Sequence, residues 1–182
     1  TRVGPTFWPE YKLCLQTSTG LGGPNTPIAK VQSFSNVSAQ QWSSGILAPN
    51  GNIYGIPGGT STGIDPARIL VITPGSSTPT FISFPNLTQT SYQGGVLAPN
   101  GKIYAIPFNR SGGKPDQVLV IDPNTNTVSF IGFQNPDDFR WASAALAPNG
   151  RIYALPSDTQ QDSAVLIIDP KTGTTDKIPV AK

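Results

Sequence analysis

The stretch LAPNGKIYAIP, residues 97–107, has two near copies in the chain, LAPNGNIYGIP at 47–57 and LAPNGRIYALP at 146–156. Their leading leucines, Leu47, Leu97 and Leu146, stand 50 and then 49 residues apart. A period of that length is one blade or one solenoid turn, and it decides the architecture before any local motif is considered. Working outward, an aromatic residue precedes each leucine by five positions (Trp42, Tyr92, Trp141) and a phenylalanine by thirteen (Phe34, Phe84, Phe133). The copies therefore belong to a longer unit.

Each unit reads as four strands, A to D. Pro-Asn-Gly is the tip of a hairpin between A and B, because Asn and Gly tolerate the positive φ of a tight turn. Strand B ends at Pro57, Pro107 or Pro156, which cannot donate to a ladder. A loop of variable length leads to the apolar runs Ile69–Ile72, Val118–Ile121 and Val165–Ile168, whose shortness and flanking turn residues suit a strand C buried on both faces. A second turn, TPGSST, DPNTNT or DPKTGT, leads to strand D. No segment carries a 3.6-residue period with helix caps, so the chain is all-β. Four-stranded antiparallel units repeated at this spacing predict β-propeller-type blades.

On this reading residues 39–87, 88–137 and 138–182 are three full blades, together one repeat domain. Residues 1–38 are half a blade: Lys12–Leu15 aligns with strand C and Ile28–Phe34 with strand D, and the matching A and B would lie before Thr1. Two explanations are open. The sequence is a segment of a longer repeat chain, or the open blade is completed by another chain, since an unpaired edge invites strand addition.

The unit resembles the YVTN-type propeller repeat in its APNGKIYAIP and VLVIDPNTNT segments, over residues 39–182 and less fully before them. It departs from that pattern at Ile72-Thr73-Pro74, where Thr replaces Asp. The resemblance implies a propeller fold and a secreted or surface-layer setting more than a chemistry.

Composition narrows the function classes. Hydrophobic residues make up 37% of the 182 and can furnish a core, while charged residues make up only 12%. No two of the twelve Lys and Arg are adjacent, so the net charge of +2 forms no stripe for nucleic acid or an anionic membrane. No apolar run approaches the roughly 20 residues of a membrane-spanning helix. The chain starts at Thr1 and contains no Met, as expected of a mature product whose signal peptide has been removed. Cys14 is alone and reads as a small buried hydrophobe.

Candidate sites follow from the unit. Asn36, Asn86 and Asn109 head Asn-X-Ser/Thr sequons and are expected to carry N-linked glycans, all on the face bearing the B–C and D–A loops. Trp42, Tyr92 and Trp141 open the innermost strands; they are candidates for ligand stacking, against the simpler reading that they pack between blades, as do the small Gly45, Gly95 and Ala144. Asp122 opens a run like a calcium loop, but Thr127 and Phe133 stand where Gly and Glu are needed, so Asp122 and Asp169 read as turn residues and no metal is assigned. Asp137-Asp138 reads as a solvated loop. With no His, one Glu (Glu10) and a buried Cys, general acid-base or nucleophilic chemistry lacks its usual groups, and no catalytic residue or cofactor is assigned. The expected function is a non-enzymatic structural module of an extracellular fibre, sheath or surface layer, partnered by copies of itself or by further repeats. The alternative is a lectin-like or protein-binding module using the loop face.

Overall fold

In a computed structural model, the described residues are 40–60, 68–84, 91–108, 117–133, 141–157 and 164–180. The chain divides into units Thr1–Ser33 and Phe34–Lys182. The first unit, and with it Cys14 and the strands expected at 12–15 and 28–34, lies outside the described residues.

Three four-stranded antiparallel sheets follow one another along the second unit. The first contains β1 (Gln40–Leu47), β2 (Ile53–Thr60), β3 (Arg68–Ile72) and β4 (Thr80–Ser83). The second contains β5 (Ser91–Leu97), β6 (Ile103–Phe108), β7 (Gln117–Asp122) and β8 (Thr127–Gly132). The third contains β9 (Trp141–Leu146), β10 (Ile152–Pro156), β11 (Ala164–Asp169) and β12 (Thr174–Pro179). Strand order in each is simply chain order, and no helix occurs among the described residues. The sheets are open, and the described residues do not close them into a ring.

Strand alternation sorts each sheet into two faces. In the first sheet Tyr54 pairs with Val71 on one face, while Ile53 pairs with Ile72 and Gly55 with Leu70 on the other. The first face, with Ile56, Ile69 and Phe84, packs on Ile103, Ala105, Leu119 and Ile121 of the second sheet. One register step along, Tyr104, Ile106, Val118 and Val120 of the second sheet pack on Trp141, Ile152, Ala154, Leu166 and Ile168 of the third. The second sheet is thus covered on both sides, and β6 and β7 are buried almost throughout. Burying a branched aliphatic side chain contributes about 1.5–3 kcal/mol, so these two apolar layers hold the sheets together.

Each sheet has the same irregularity at its first strand. Trp42 pairs with Pro57, Tyr92 with Pro107 and Trp141 with Pro156, with a register shift beside each pair. Proline offers no N–H at that rung, so the ladder breaks there, and a bulge turns the facing residue.

Candidate functional site

The hairpin LAPNG is built around its backbone. Ala98 N–H donates to Lys102 O at 2.9 Å and Gly101 N–H to Ala98 O at 3.0 Å, and the hairpins at 48–52 and 147–151 repeat the pattern. Gly51, Gly101 and Gly150 take φ of 83°, 78° and 80°. This is a three-residue loop with the glycine in the left-handed position. The glycine alone supplies the positive φ, and the preceding asparagines do not share that conformation. Their work is done by the side chain. Asn50, Asn100 and Asn149 each accept from the backbone N–H two residues on, at 3.0–3.1 Å, which aims the amide nitrogen away from the hairpin.

That amide joins one sheet to the next. Asn50 Nδ2 donates to Tyr54 Oη at 3.0 Å and to the carbonyl of Pro123 at 2.8 Å, in the turn between β7 and β8. Tyr54 Oη in turn donates to Asn126 Oδ1 at 2.7 Å, in preference to the Pro123 carbonyl at 3.3 Å. The second sheet repeats the clasp: Asn100 Nδ2 donates to Tyr104 Oη at 2.9 Å and to the carbonyl of Pro170 at 3.1 Å. In the third sheet Asn149 Nδ2 donates to Tyr153 Oη at 2.9 Å, and among the described residues no turn carbonyl completes the set.

The receiving turns are shaped by their aspartates. Asp122 Oδ1 accepts from Asn124 N–H at 3.0 Å, and Oδ2 lies 3.2 Å from Lys102 Nζ. Asp169 Oδ1 accepts from Lys171 N–H at 3.0 Å, and Oδ2 takes Arg151 Nε at 3.0 Å. The backbone N–H of Asn124 is the main cause holding Asp122 below the usual carboxylate range, opposed by partial desolvation and aided by Lys102. For Asp169 the backbone N–H of Lys171 does the same, with Thr172 and Arg151 behind it. In the first sheet Thr73 and Asn52 replace both members of the ion pair, and the turn differs: Ser76 N–H donates to Thr73 O at 2.9 Å around Gly75 at φ 87°. Among the described residues no three His, Cys, Asp or Glu side chains gather.

The three aromatic candidates have unequal surroundings. Trp141 is fully enclosed, its Nε1 donating to Ala164 O at 2.9 Å and its ring edge-on to Phe133 with centroids 5.3 Å apart. Tyr92 is buried in the layer between the first two sheets. Trp42 is half-buried: it donates to Arg68 O at 3.3 Å, stacks on Phe81 at 6.4 Å, and lies over Gly55, where the other sheets carry Ala105 and Ala154. Gly95 is tightly approached, since an added Cβ would meet Ile56 at 3.3 Å; Ala144, its counterpart, packs against the second apolar layer. Asn36, Asn86, Asn109 and Asp137-Asp138 lie outside the described residues, as do the loops of the sequon-bearing face.

A groove of about 690 Å³ separates the outer strands of the second and third sheets, lined by Gln117, Phe133, Thr175, Asp176 and Lys177 among others. Thr175 Oγ1 donates to Gly132 O across it at 3.4 Å, and Lys177 Nζ lies 5.7 Å from the centroid of the Phe133 ring. The first strands of neighbouring sheets are in closer touch: Ser43 Oγ, on β1, accepts from Gly94 N–H on β5 at 3.1 Å. The backbones of neighbouring sheets come closest at their first strands, while their fourth strands meet through side chains, Phe84 just after β4 lying against Phe130 of β8 with ring centroids 6.1 Å apart.

No protein-family model and no curated protein matches this chain.

The clasp was not foreseen from the sequence, which presents Asn-Gly-x-Ile-Tyr as turn and strand residues. Its signal is the constant four-residue spacing of Asn and Tyr in every copy, together with a Pro two residues after the apolar run of strand C. The ion pair has a clearer trace: residue 102 or 151 is basic where 122 or 169 is acidic, and residues 52 and 73 are neutral together.

Proposed function

We propose that this chain is a segment of a β-propeller-type protein of the YVTN kind, serving as a non-enzymatic structural module of an extracellular assembly such as a fibre, sheath or surface layer. The observation that carries this reading is the repetition of one interface. Most residues that recur between units are spent on joining the first sheet to the second and the second to the third: Asn and Tyr in two clasps, Tyr92 and Trp141 in the apolar layers, and Asp122 and Asp169 in the turns that receive the clasps. A catalytic centre gathers unlike residues at one place, whereas here like residues are distributed evenly. First strands whose backbones approach more closely than those of the fourth strands support the fanned arrangement of propeller blades.

Secretion and glycosylation at Asn36, Asn86 and Asn109 belong to the same proposal, supported by the sequons and the lack of charge runs. Negative-stain electron microscopy of the purified chain tests the structural role. Regular polymers are expected; isolated particles at every concentration would count against it. For the sequons, expression in a eukaryotic secretory host followed by intact-mass measurement before and after N-glycan removal gives a direct answer, and an unchanged mass ends that part of the reading.

A further inference from the structure

We propose that Asn50 and Asn100, each followed by glycine, are sites of spontaneous deamidation, that the clasp gates their conversion, and that conversion undoes the clasp permanently. The inference requires only the clasp and is independent of any role in an assembly.

The step is intramolecular. The backbone nitrogen of Gly51 or Gly101 gives up its proton and bonds to Cγ of the preceding asparagine, the Cγ–Nδ2 bond breaks, and Nδ2 leaves with that proton as ammonia. Water then opens the cyclic imide at one carbonyl or the other, giving aspartate or isoaspartate without an oxidant or reductant. Glycine favours the attack because it sets no side chain beside the reacting nitrogen. The surroundings favour it further. A Cβ built on Gly51 or Gly101 would have no atom within 4 Å, and both asparagines are exposed to the water that opens the imide. Asn52 N–H and Lys102 N–H donate to the two Oδ1 atoms at 3.1 Å, and a donor placed there stabilises the oxyanion that forms as nitrogen attacks.

Two restraints oppose the step. Gly51 N–H and Gly101 N–H each donate to an alanine carbonyl, of Ala48 and Ala98, at 3.0 Å, which engages the proton that must leave. Asn50 Nδ2 is held by Tyr54 Oη at 3.0 Å and the Pro123 carbonyl at 2.8 Å, and Asn100 Nδ2 by Tyr104 Oη at 2.9 Å and the Pro170 carbonyl at 3.1 Å. As Cγ becomes tetrahedral the amide nitrogen swings out of its plane, so these bonds must be surrendered before it can depart. The activating bond to Oδ1 is local to the hairpin, whereas the proline carbonyls belong to the next sheet. Separation of two sheets therefore releases the amide and leaves its activation in place, and local opening of this kind sets the rate.

The product cannot close again. A carboxylate only accepts hydrogen bonds, so it offers nothing to the proline carbonyl and sets a negative charge against that oxygen. Isoaspartate also lengthens the backbone between residue 50 or 100 and its glycine, which displaces the glycine from the turn. Each separation of the sheets can thus be recorded covalently.

The test uses the full 182-residue chain held at mildly alkaline pH, with peptide mapping by mass spectrometry following Asn50 and Asn100 separately. Both should convert at least about ten-fold more slowly in the folded chain than in urea, since reaction requires opening. Tyr54→Phe removes an acceptor from Asn50 alone and should speed its conversion about two- to ten-fold, the factor carried by one hydrogen bond, while Asn100 keeps its rate. Tyr104→Phe should reverse the pattern. Circular dichroism confirms that each variant is folded, and if one is not, the other decides. Equal rates in the folded and urea-unfolded chains overturn the gating. A rise at both asparagines in each variant, or at neither, overturns the part assigned to the clasp. Asn50→Asp, which carries the carboxylate of the product, should melt below the unaltered chain; an equal melting temperature overturns the claim that conversion undoes the clasp.

Discussion

Tyr54 Oη donates to Asn126 Oδ1 at 2.7 Å across 72 residues of chain, fastening the hairpin of the first sheet to a turn of the second. Asn126 adopts φ 53° to hold that turn, a left-handed conformation that asparagine tolerates better than most residues. The tyrosine is fully buried, so its hydroxyl needs this partner to offset desolvation.

Replacing Tyr54 with Phe should lower stability by about 0.5–1.5 kcal/mol, the net worth of one such hydrogen bond. Tyr153→Phe, on the open face of the third sheet, should change stability by less than about 0.5 kcal/mol, in keeping with surface substitutions. Urea unfolding of both variants makes the comparison. A cycle of Tyr54→Phe with Asn126→Ala should show coupling of at least about 0.5 kcal/mol, as expected of residues in contact.

Trp141→Ala should cost about 3–5 kcal/mol, because a large enclosed side chain leaves a cavity. Trp42→Ala should cost less, since that ring is only half-buried. Chemical denaturation of the two variants measures the difference. Equal losses would mean that the first sheet's outer face is covered in solution.

Gly101→Ala should destabilise by about 1–2 kcal/mol, the cost of holding an L-residue in the left-handed region. No atom lies within 4 Å of the added methyl, so strain in the backbone is the whole effect. Gly101→Asn should recover part of the loss, and thermal melting of the pair decides.

Asp122 and Asp169 are held below the ordinary aspartate value in the folded chain, so the unfolded chain takes up their protons first as pH falls. Their contribution is present above about pH 4, near the unfolded aspartate value, and is lost as pH drops through the lowered folded values. Unfolding free energy measured between about pH 6 and about pH 2 should fall less steeply in Asp122→Asn/Asp169→Asn than in the unaltered chain. An unchanged slope would assign the acid sensitivity to other carboxylates.

The loss of both ion-pair members from the first sheet, Asn52 and Thr73, illustrates what a repeat comparison makes readable: substitutions that travel together across units mark a contact. Grouping of strands in fours, the hairpin at Asn-Gly and the break at the proline are equally legible, because each depends on a few neighbouring residues and on φ preferences that do not change with context. The clasp was hidden for the opposite reason. Asn50 and Pro123 are 73 residues apart, and nothing near either one announces the other.

From the sequence alone came the 50-residue unit, its four strands and the two-residue alternation that gives every sheet an apolar pair of faces. Only the tertiary structure decided which of those faces are covered. Tyr54, Tyr104 and Tyr153 occupy one position in three nearly identical segments, yet the first two are buried and the third is not. Local spacing determines the direction in which a side chain points. Burial depends on whether another sheet arrives on that side, and the third tyrosine has none among the described residues.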